Sequence, residues 1–312
     1  MSPVSQLNKP APLRPGDRVG LFVPSSPVRE PYRGNGLAEL KRMGLVPVEV
    51  PHIMDRVDFT AKSPQAVVAD LQAFFSAADI HALWAVRGGY GANLLLPYLE
   101  TLEIPRPKIV IGSSDVSILL WWLLENRRMV VFFGPMAFAS LADNAADTAQ
   151  CRSLLDGSRS TPVYEGKPLI PGQGQGRLTG GCLTNLVSLI GTPWFPRLRN
   201  RILLLEDVAE RPYSLHRLFW HLAGAGCLRG VRGIALGEFP GCFKDSRERE
   251  ALWQRLVELF APMGVPVMTD LPLGHARQAQ MIPLGTRVSL EVDRDTARLR
   301  LKEPGTVAQV NG

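Results

Sequence analysis

Cysteine is scarce in this 312-residue chain: four in all, at positions 151, 182, 227 and 242. No two form a C-x-x-C pair, so neither a zinc site nor a disulfide framework is indicated, and free thiols suit a reducing compartment. Metal-binding histidine spacing is also missing. The five histidines (His52, His81, His216, His221 and His275) give no H-x-x-x-H or H-E-x-x-H, so no metal and no cofactor is expected. Aromatic residues make up only 7% of the chain, and none interleaves the densest basic patch, Arg197-Leu198-Arg199-Asn200-Arg201. Despite a net charge of +6, that patch reads as a solvated face and not as a nucleic-acid site. Long apolar runs are absent. Residues 1–17 are polar and proline-rich, without the apolar core of a signal peptide, and the apolar run 116–124 is far too short to cross a bilayer. The expectation is a cytoplasmic protein with neither a membrane nor nucleic acid as partner.

What is present is globular: 46% hydrophobic and 21% charged residues, punctuated by 29 Gly and 26 Pro. The length favours two domains. In the first, strands are expected at 18–24, 45–50, 82–86, 108–111 and 129–133, with helices near 35–43, 64–77, 92–99 and 115–126. Strands alternating with helices in this way imply a parallel sheet covered on both faces, with ligands bound beyond the carboxyl ends of its strands. A helix at 144–155 leads to a turn-rich stretch, 156–176, whose Gly172-x-Gly174-x-Gly176 run reads as linker. The domain boundary is drawn at 160/161. In the second domain a glycine turn leads into a helix within 177–186. Strands follow at 202–205, 233–236 and 265–269, helices at 213–223 and 246–260, and a closing hairpin at 288–292 and 297–301.

One junction carries possible chemistry. The β-branched strand 108–111 stops at Gly112, and Ser113-Ser114-Asp115 follows before an apolar helix. A sharp strand-to-helix turn lifts a side chain above the sheet and aims free N–H groups at whatever binds there, as an acyl-transfer nucleophile requires. A Ser-Asp pair before an apolar run is also an ordinary helix cap. Arg87-Gly88-Gly89-Tyr90-Gly91 ends the neighbouring strand and falls on the same edge. A nucleophilic serine needs a base and an orienting acid. His275 follows Gly274 in a loop at a strand end, and Glu206 ends a strand after four apolar residues, with Glu210 and Asp207 as rivals. Pairing Asp115 with Glu206 as a glycosidase dyad would leave the serine and His275 unexplained.

Seven segments in one order resemble the LD-carboxypeptidase family, which comprises muramoyl-tetrapeptide carboxypeptidases and related microcin-immunity peptidases. They are Leu13-Arg14-Pro15-Gly16-Asp17-Arg18-Val19, the turn at Arg87–Gly91, Gly112-Ser113-Ser114-Asp115, Gly180-Gly181-Cys182-Leu183, Gly191-Thr192-Pro193, Leu205-Glu206-Asp207-Val208 with Tyr213 and Arg217, and Gly274-His275. The resemblance implies an α/β protein of two domains. The first, 1–160, would be a flavodoxin-like or amidotransferase-like parallel sheet with flanking helices, carrying the nucleophile. The second, 161–312, would be a smaller mixed β/α domain carrying the other catalytic groups. It further implies a triad of Ser114, Glu206 and His275, and an oxyanion hole from the backbone N–H groups of Gly89 and Asp115. The substrate implied is a murein tetrapeptide or muropeptide that loses its terminal D-Ala during peptidoglycan recycling. Its carboxylate would be met near Gly88 by Arg87 or Arg217. Homodimers are common in the family, and Trp194 and Phe195 are candidates for an interface or for the core. The chain departs from the family at Ser113, usually aromatic, and at Ser117, usually threonine. Two further readings stay open: an immunity-type peptidase cutting nucleotidyl-peptide conjugates, and a non-catalytic α/β binding protein.

Overall fold

A computed structural model of the chain describes residues 7–28, 30–51, 53–143, 146–158 and 161–307. His52, residues 1–6, positions 144–145 of the expected helix and residue 160 at the expected boundary lie outside them.

The first half alternates as its sequence suggests. Strands β1 (Arg18–Phe22), β2 (Val46–Glu49), β3 (Ile80–Ala85), β4 (Ile109–Gly112) and β5 (Val131–Phe133) alternate with helices α1 (Tyr32–Arg42), α2 (Pro64–Ser76), α3 (Ala92–Leu99) and α4 (Ser117–Asn126). Continuous apolar runs make β4 and β5 fully buried, as strands covered on both faces must be. Helix α2 shows the local logic. Ser63 Oγ accepts from Ala66 N, Pro64 sits in the first turn, and Val67, Val68, Leu71, Phe74 and Phe75 form one buried stripe. The chain then forms α5 (Thr148–Leu155).

In the second half, β6 (Val163–Ile170), β7 (Gly172–Cys182), α6 (Leu183–Ser188), β8 (Arg201–Glu206), α7 (Pro212–Gly224), β9 (Gly233–Gly237) and α8 (Ser246–Phe260) are followed by β10 (Val267–Leu271), β11 (Ile282–Leu284), β12 (Arg287–Val292) and β13 (Ala297–Leu301). Seven of these strands close into a barrel in the order β10-β6-β13-β12-β7-β8-β9. Strand β11 leaves it and pairs antiparallel with β5, completing a six-stranded sheet ordered β11-β5-β4-β3-β1-β2.

Three expectations are corrected by the second half. The stretch 156–176 is not a turn-rich connection, and the Gly172-Gly174-Gly176 run is not linker: both lie in or beside the paired strands β6 and β7. Gly174 and Gly176 are there because neighbouring backbone leaves no room for a side chain. A Cβ on Gly174 would overlap the Arg232 carbonyl, and one on Gly176 would lie 2.8 Å from the Asn200 carbonyl. Likewise residues 177–182 continue β7 instead of turning, and the helix there is only Leu183–Ser188. Trp194 and Phe195 are half-buried against the core.

Candidate active site

The expected elbow is present and strained. Ser114 follows β4 with φ of 54°, and one 3-10 turn, Ser114–Val116, leads into α4. A left-handed serine at a strand end is a costly conformation that the surroundings must enforce. They do so through Asp115, whose buried carboxylate accepts from Ser25 Oγ at 2.6 Å and from Ala92 N at 2.8 Å. Burial pushes the Asp115 carboxyl above its usual range, against the pull of those two donors. One side chain therefore ties together the loop after β1, the start of α3 and the elbow. Ser25 and Ser26 were not singled out from sequence, although a Ser-Ser-Pro turn at a strand end was a usable signal.

Beside the elbow, Gly88 and Gly89 leave open ground. A Cβ on Gly88 would sit 2.9 Å from Ser114 Cβ, and Gly89, at φ 118°, has no space for one because Ser26 Oγ is there. Ser26 Oγ in turn accepts from Tyr90 N at 3.2 Å. The turn thus brings bare backbone next to the serine.

The opposing wall comes from the carboxyl ends of the barrel strands. Glu206 ends β8 fully buried, and its Oε2 accepts from His275 Nδ1 at 2.7 Å and from His275 N at 3.1 Å. Among the described residues Oε1 has no donor. Gly237 and Gly274 make the space: a Cβ on Gly237 would lie 2.8 Å from Glu206 Cβ, and one on Gly274 would overlap the carboxylate. Burial lowers the His275 pKa, but the charge and hydrogen bond of Glu206, with Asp207 behind, outweigh it and leave the imidazole raised. Asp207 faces elsewhere. It accepts from Thr184 Oγ1 at 2.7 Å, Thr184 N at 2.9 Å and the Cys182 thiol at 3.8 Å.

The two walls are joined directly. Asn185 Nδ2 on α6 donates to Ser114 O at 3.2 Å, Ser117 Oγ accepts from Cys182 N at 3.2 Å, and Trp121 Nε1 donates to Gly180 O at 2.8 Å. Asn185 was not anticipated. Ser114 Oγ and His275 are not hydrogen-bonded to each other in this conformation, and catalytic contacts of this kind commonly tighten only around substrate. Of the other candidates, Arg87 Nη1 donates to Pro27 O at 2.7 Å, and Arg217, exposed on α7, lies 5.9 Å from the centre of the Tyr213 ring. Neither hydrogen-bonds to Ser114 or His275. His81 approaches Asp17, and His216 and His221 lie on α7. Among the described residues no group of three or more His, Cys, Asp or Glu could hold a metal ion.

Substituting Gly274 by Ala is expected to destabilise the fold by about 2–3 kcal/mol, because it adds both a clash and a φ of 77° that alanine resists. Urea unfolding of the variant checks this: an unchanged midpoint would mean that the Glu206 pocket is more yielding than its geometry indicates.

Comparison with known proteins agrees with this architecture. Residues 19–134 match the LD-carboxypeptidase N-terminal domain, and residues 175–290 match its C-terminal domain. A putative carboxypeptidase of Streptomyces coelicolor is 36% identical over 96% of this chain and 97% of its own. The murein tetrapeptide carboxypeptidase of Pseudomonas aeruginosa is 30% identical over 89% and 94%. Among solved structures, MccF in complex with glutamyl sulfamoyl guanosine superposes with a TM-score of 0.85, at 22% identity, over 96% of this chain and 99% of that one. Fold and sequence together define a serine-type carboxypeptidase on two α/β units. The chain belongs to the LD-carboxypeptidase family.

Proposed function

We propose that Ser114, His275 and Glu206 form the catalytic triad, and that the enzyme removes the terminal D-Ala from a murein tetrapeptide. The observation that carries this reading is the bond from half-buried His275 to fully buried Glu206, on the unit joined to a serine in a left-handed turn. His275 Nε2 takes the proton of Ser114 Oγ as the oxygen attacks the carbonyl carbon of the D-Ala peptide bond. Glu206 accepts from Nδ1, which fixes the tautomer and stabilises the imidazolium that forms. The N–H groups of Gly89 and Asp115 receive the oxyanion, a contribution of about 3–4 kcal/mol for one well-placed donor. The imidazolium then protonates the departing D-Ala amine, and water, activated by the same base, releases the shortened peptide. Arg87 and Arg217 are the candidates for the D-Ala carboxylate, with Gly88 at its side. The same reading puts the enzyme in the cytoplasm, in peptidoglycan recycling, acting as a homodimer. Among the described residues no helix is long and apolar enough to cross a membrane.

Mass-spectrometric detection of D-Ala released from a free murein tetrapeptide tests the proposal. An acyl-sulfamoyl nucleoside serves as the competing substrate. Release of D-Ala supports the reading, and cleavage of the nucleoside conjugate alone would overturn it in favour of an immunity-type peptidase. The same assay run across pH reports His275. Its raised pKa places the acid limb of kcat/KM above pH 6.5, with activity rising as the imidazole loses its proton. The stability that the pair supplies has the opposite sign: it is complete below about pH 6.5 and declines as pH rises through the raised value. An acid limb centred below pH 6.5 would mean that a different group is the base.

A further inference from the structure

Where β8 and β12 begin beside the middle of β7 lies a hollow of about 1020 Å³, lined by seven cationic side chains and one carboxylate, Glu125. Three of the cations form a row fixed by strand register. Arg287 on β12 pairs with Arg177 on β7, which pairs with Arg201 on β8. Like charges placed directly opposite one another repel, so the row is a standing cost to the fold. Local carboxylates offset it only in part. Glu125 serves both Arg197, at 4.0 Å, and Arg201, at 3.5 Å, while Glu303 serves both Lys9 and Arg177. Arg201 Nη1 is buried without an acceptor, and the exposed side chains of Arg199, Arg287 and Lys302 have no carboxylate partner among the described residues. None of the residues outside the described set is Asp or Glu, so the chain has no further side-chain carboxylate to supply. Burial, then the neighbouring Arg177 and Arg197, bring the Arg201 pKa down despite Glu125, as expected of crowded cations.

We propose that this hollow is a binding site for a short phosphate chain, separate from the active site and not dependent on the reading of that site. The geometry excludes the nearer alternatives. Arg201 opens the strand that Glu206 closes, so the two sites lie about 17 Å apart, five residues at roughly 3.3 Å each. Six of the seven cations are arginines, whose planar forks match phosphate oxygens in pairs. Adjacent strands are about 4.8 Å apart, so the row presents three guanidinium stems over about 10 Å, the scale of a few linked phosphates. No aromatic side chain lines the hollow, so it offers nothing on which bases could stack.

The test is a titration of the full chain with inorganic triphosphate, read by calorimetry and by thermal unfolding, with sodium chloride added to hold ionic strength constant. Saturable binding with a rise in Tm is expected, weakening as background salt increases. A variant carrying Arg199→Ala, Arg287→Ala and Lys302→Ala removes only exposed side chains and should fold normally. It is expected to bind at least tenfold more weakly, while Arg255→Ala, on α8 and outside the lining of the hollow, changes nothing. A nucleoside triphosphate should bind as tightly as the inorganic chain, since only the phosphates are read. The proposal is overturned if no saturable binding occurs, or if the triple variant binds like the parent. It is also overturned if only the nucleoside form binds, or if a single-stranded oligonucleotide of equal charge binds more tightly through the same residues.

Discussion

Replacing Ser114 by Ala is expected to lower kcat for D-Ala release by about six orders of magnitude while leaving the fold intact. The structural side of this expectation is specific. Ser114 Oγ makes no hydrogen bond within the described chain, so its removal orphans no buried partner. The strain at φ 54° is shared by serine and alanine and therefore cancels. The elbow is held by the Asp115 carboxylate and by the bond from Asn185 to the Ser114 carbonyl, neither of which involves the hydroxyl. Thermal unfolding should thus coincide with the parent within about 0.5 kcal/mol, while turnover collapses. Undiminished hydrolysis by a folded Ser114→Ala protein would remove the nucleophile from Ser114 and with it the proposed mechanism.

Glu206→Gln ranks next, with an expected loss in kcat of about 10⁴. The substitution conserves shape in a pocket that Gly237 and Gly274 have cleared for this side chain. What it removes is charge. A neutral amide cannot stabilise the imidazolium, and its NH₂ group, turned toward Nδ1, would favour the tautomer with the wrong nitrogen protonated. KM should change little, since Glu206 is buried behind His275 and does not face the substrate. The acid limb of the residual activity should also shift downward, because the raised His275 pKa comes from Glu206. Glu210→Gln is the control. Glu210 is half-buried beyond the left-handed turn at Ala209, and its substitution should cost only a few-fold. A larger loss at Glu210 than at Glu206 would transfer the orienting role.

How legible this was from the sequence depended on the local chemistry of each element. Strand β4 and helix α8 could be read because their apolar pattern and boundaries agree. Ile109–Gly112 is a buried β-branched run, and Asp245 caps Ser246–Phe260 by accepting from Glu248 N. Strands β6 and β7 could not be. Their two-residue alternation is real, but glycine takes positions where neighbouring backbone passes, and a Gly-Gln-Gly-Gln repeat looks like a loop. The site divided in the same way. Strand ends pointed to Ser114, Glu206 and His275 individually, whereas the Glu206–His275 bond joins residues 69 apart. The basic hollow shows the limit most clearly. Residues 197–201 are visible as a patch, but Arg177 and Arg287 reach it only through barrel pairing that no local pattern encodes.

The strand that crosses back to the first sheet has a consequence for biosynthesis. Ile282–Leu284 forms the edge of a sheet whose other strands end by Phe133, and Met281 O accepts from Tyr164 OH at 2.6 Å beside it. As the chain emerges from the ribosome, β5 exposes an unpaired edge for roughly 150 residues of further synthesis, since its partner begins only at Ile282. A nascent chain halted before residue 282 therefore carries a sticky, unfinished sheet, and the elbow strand β4 lies only one strand in from that edge. Completion of the nucleophile's scaffold is thus delayed until the segment just beyond His275 has been translated, which couples the appearance of activity to synthesis through Leu284.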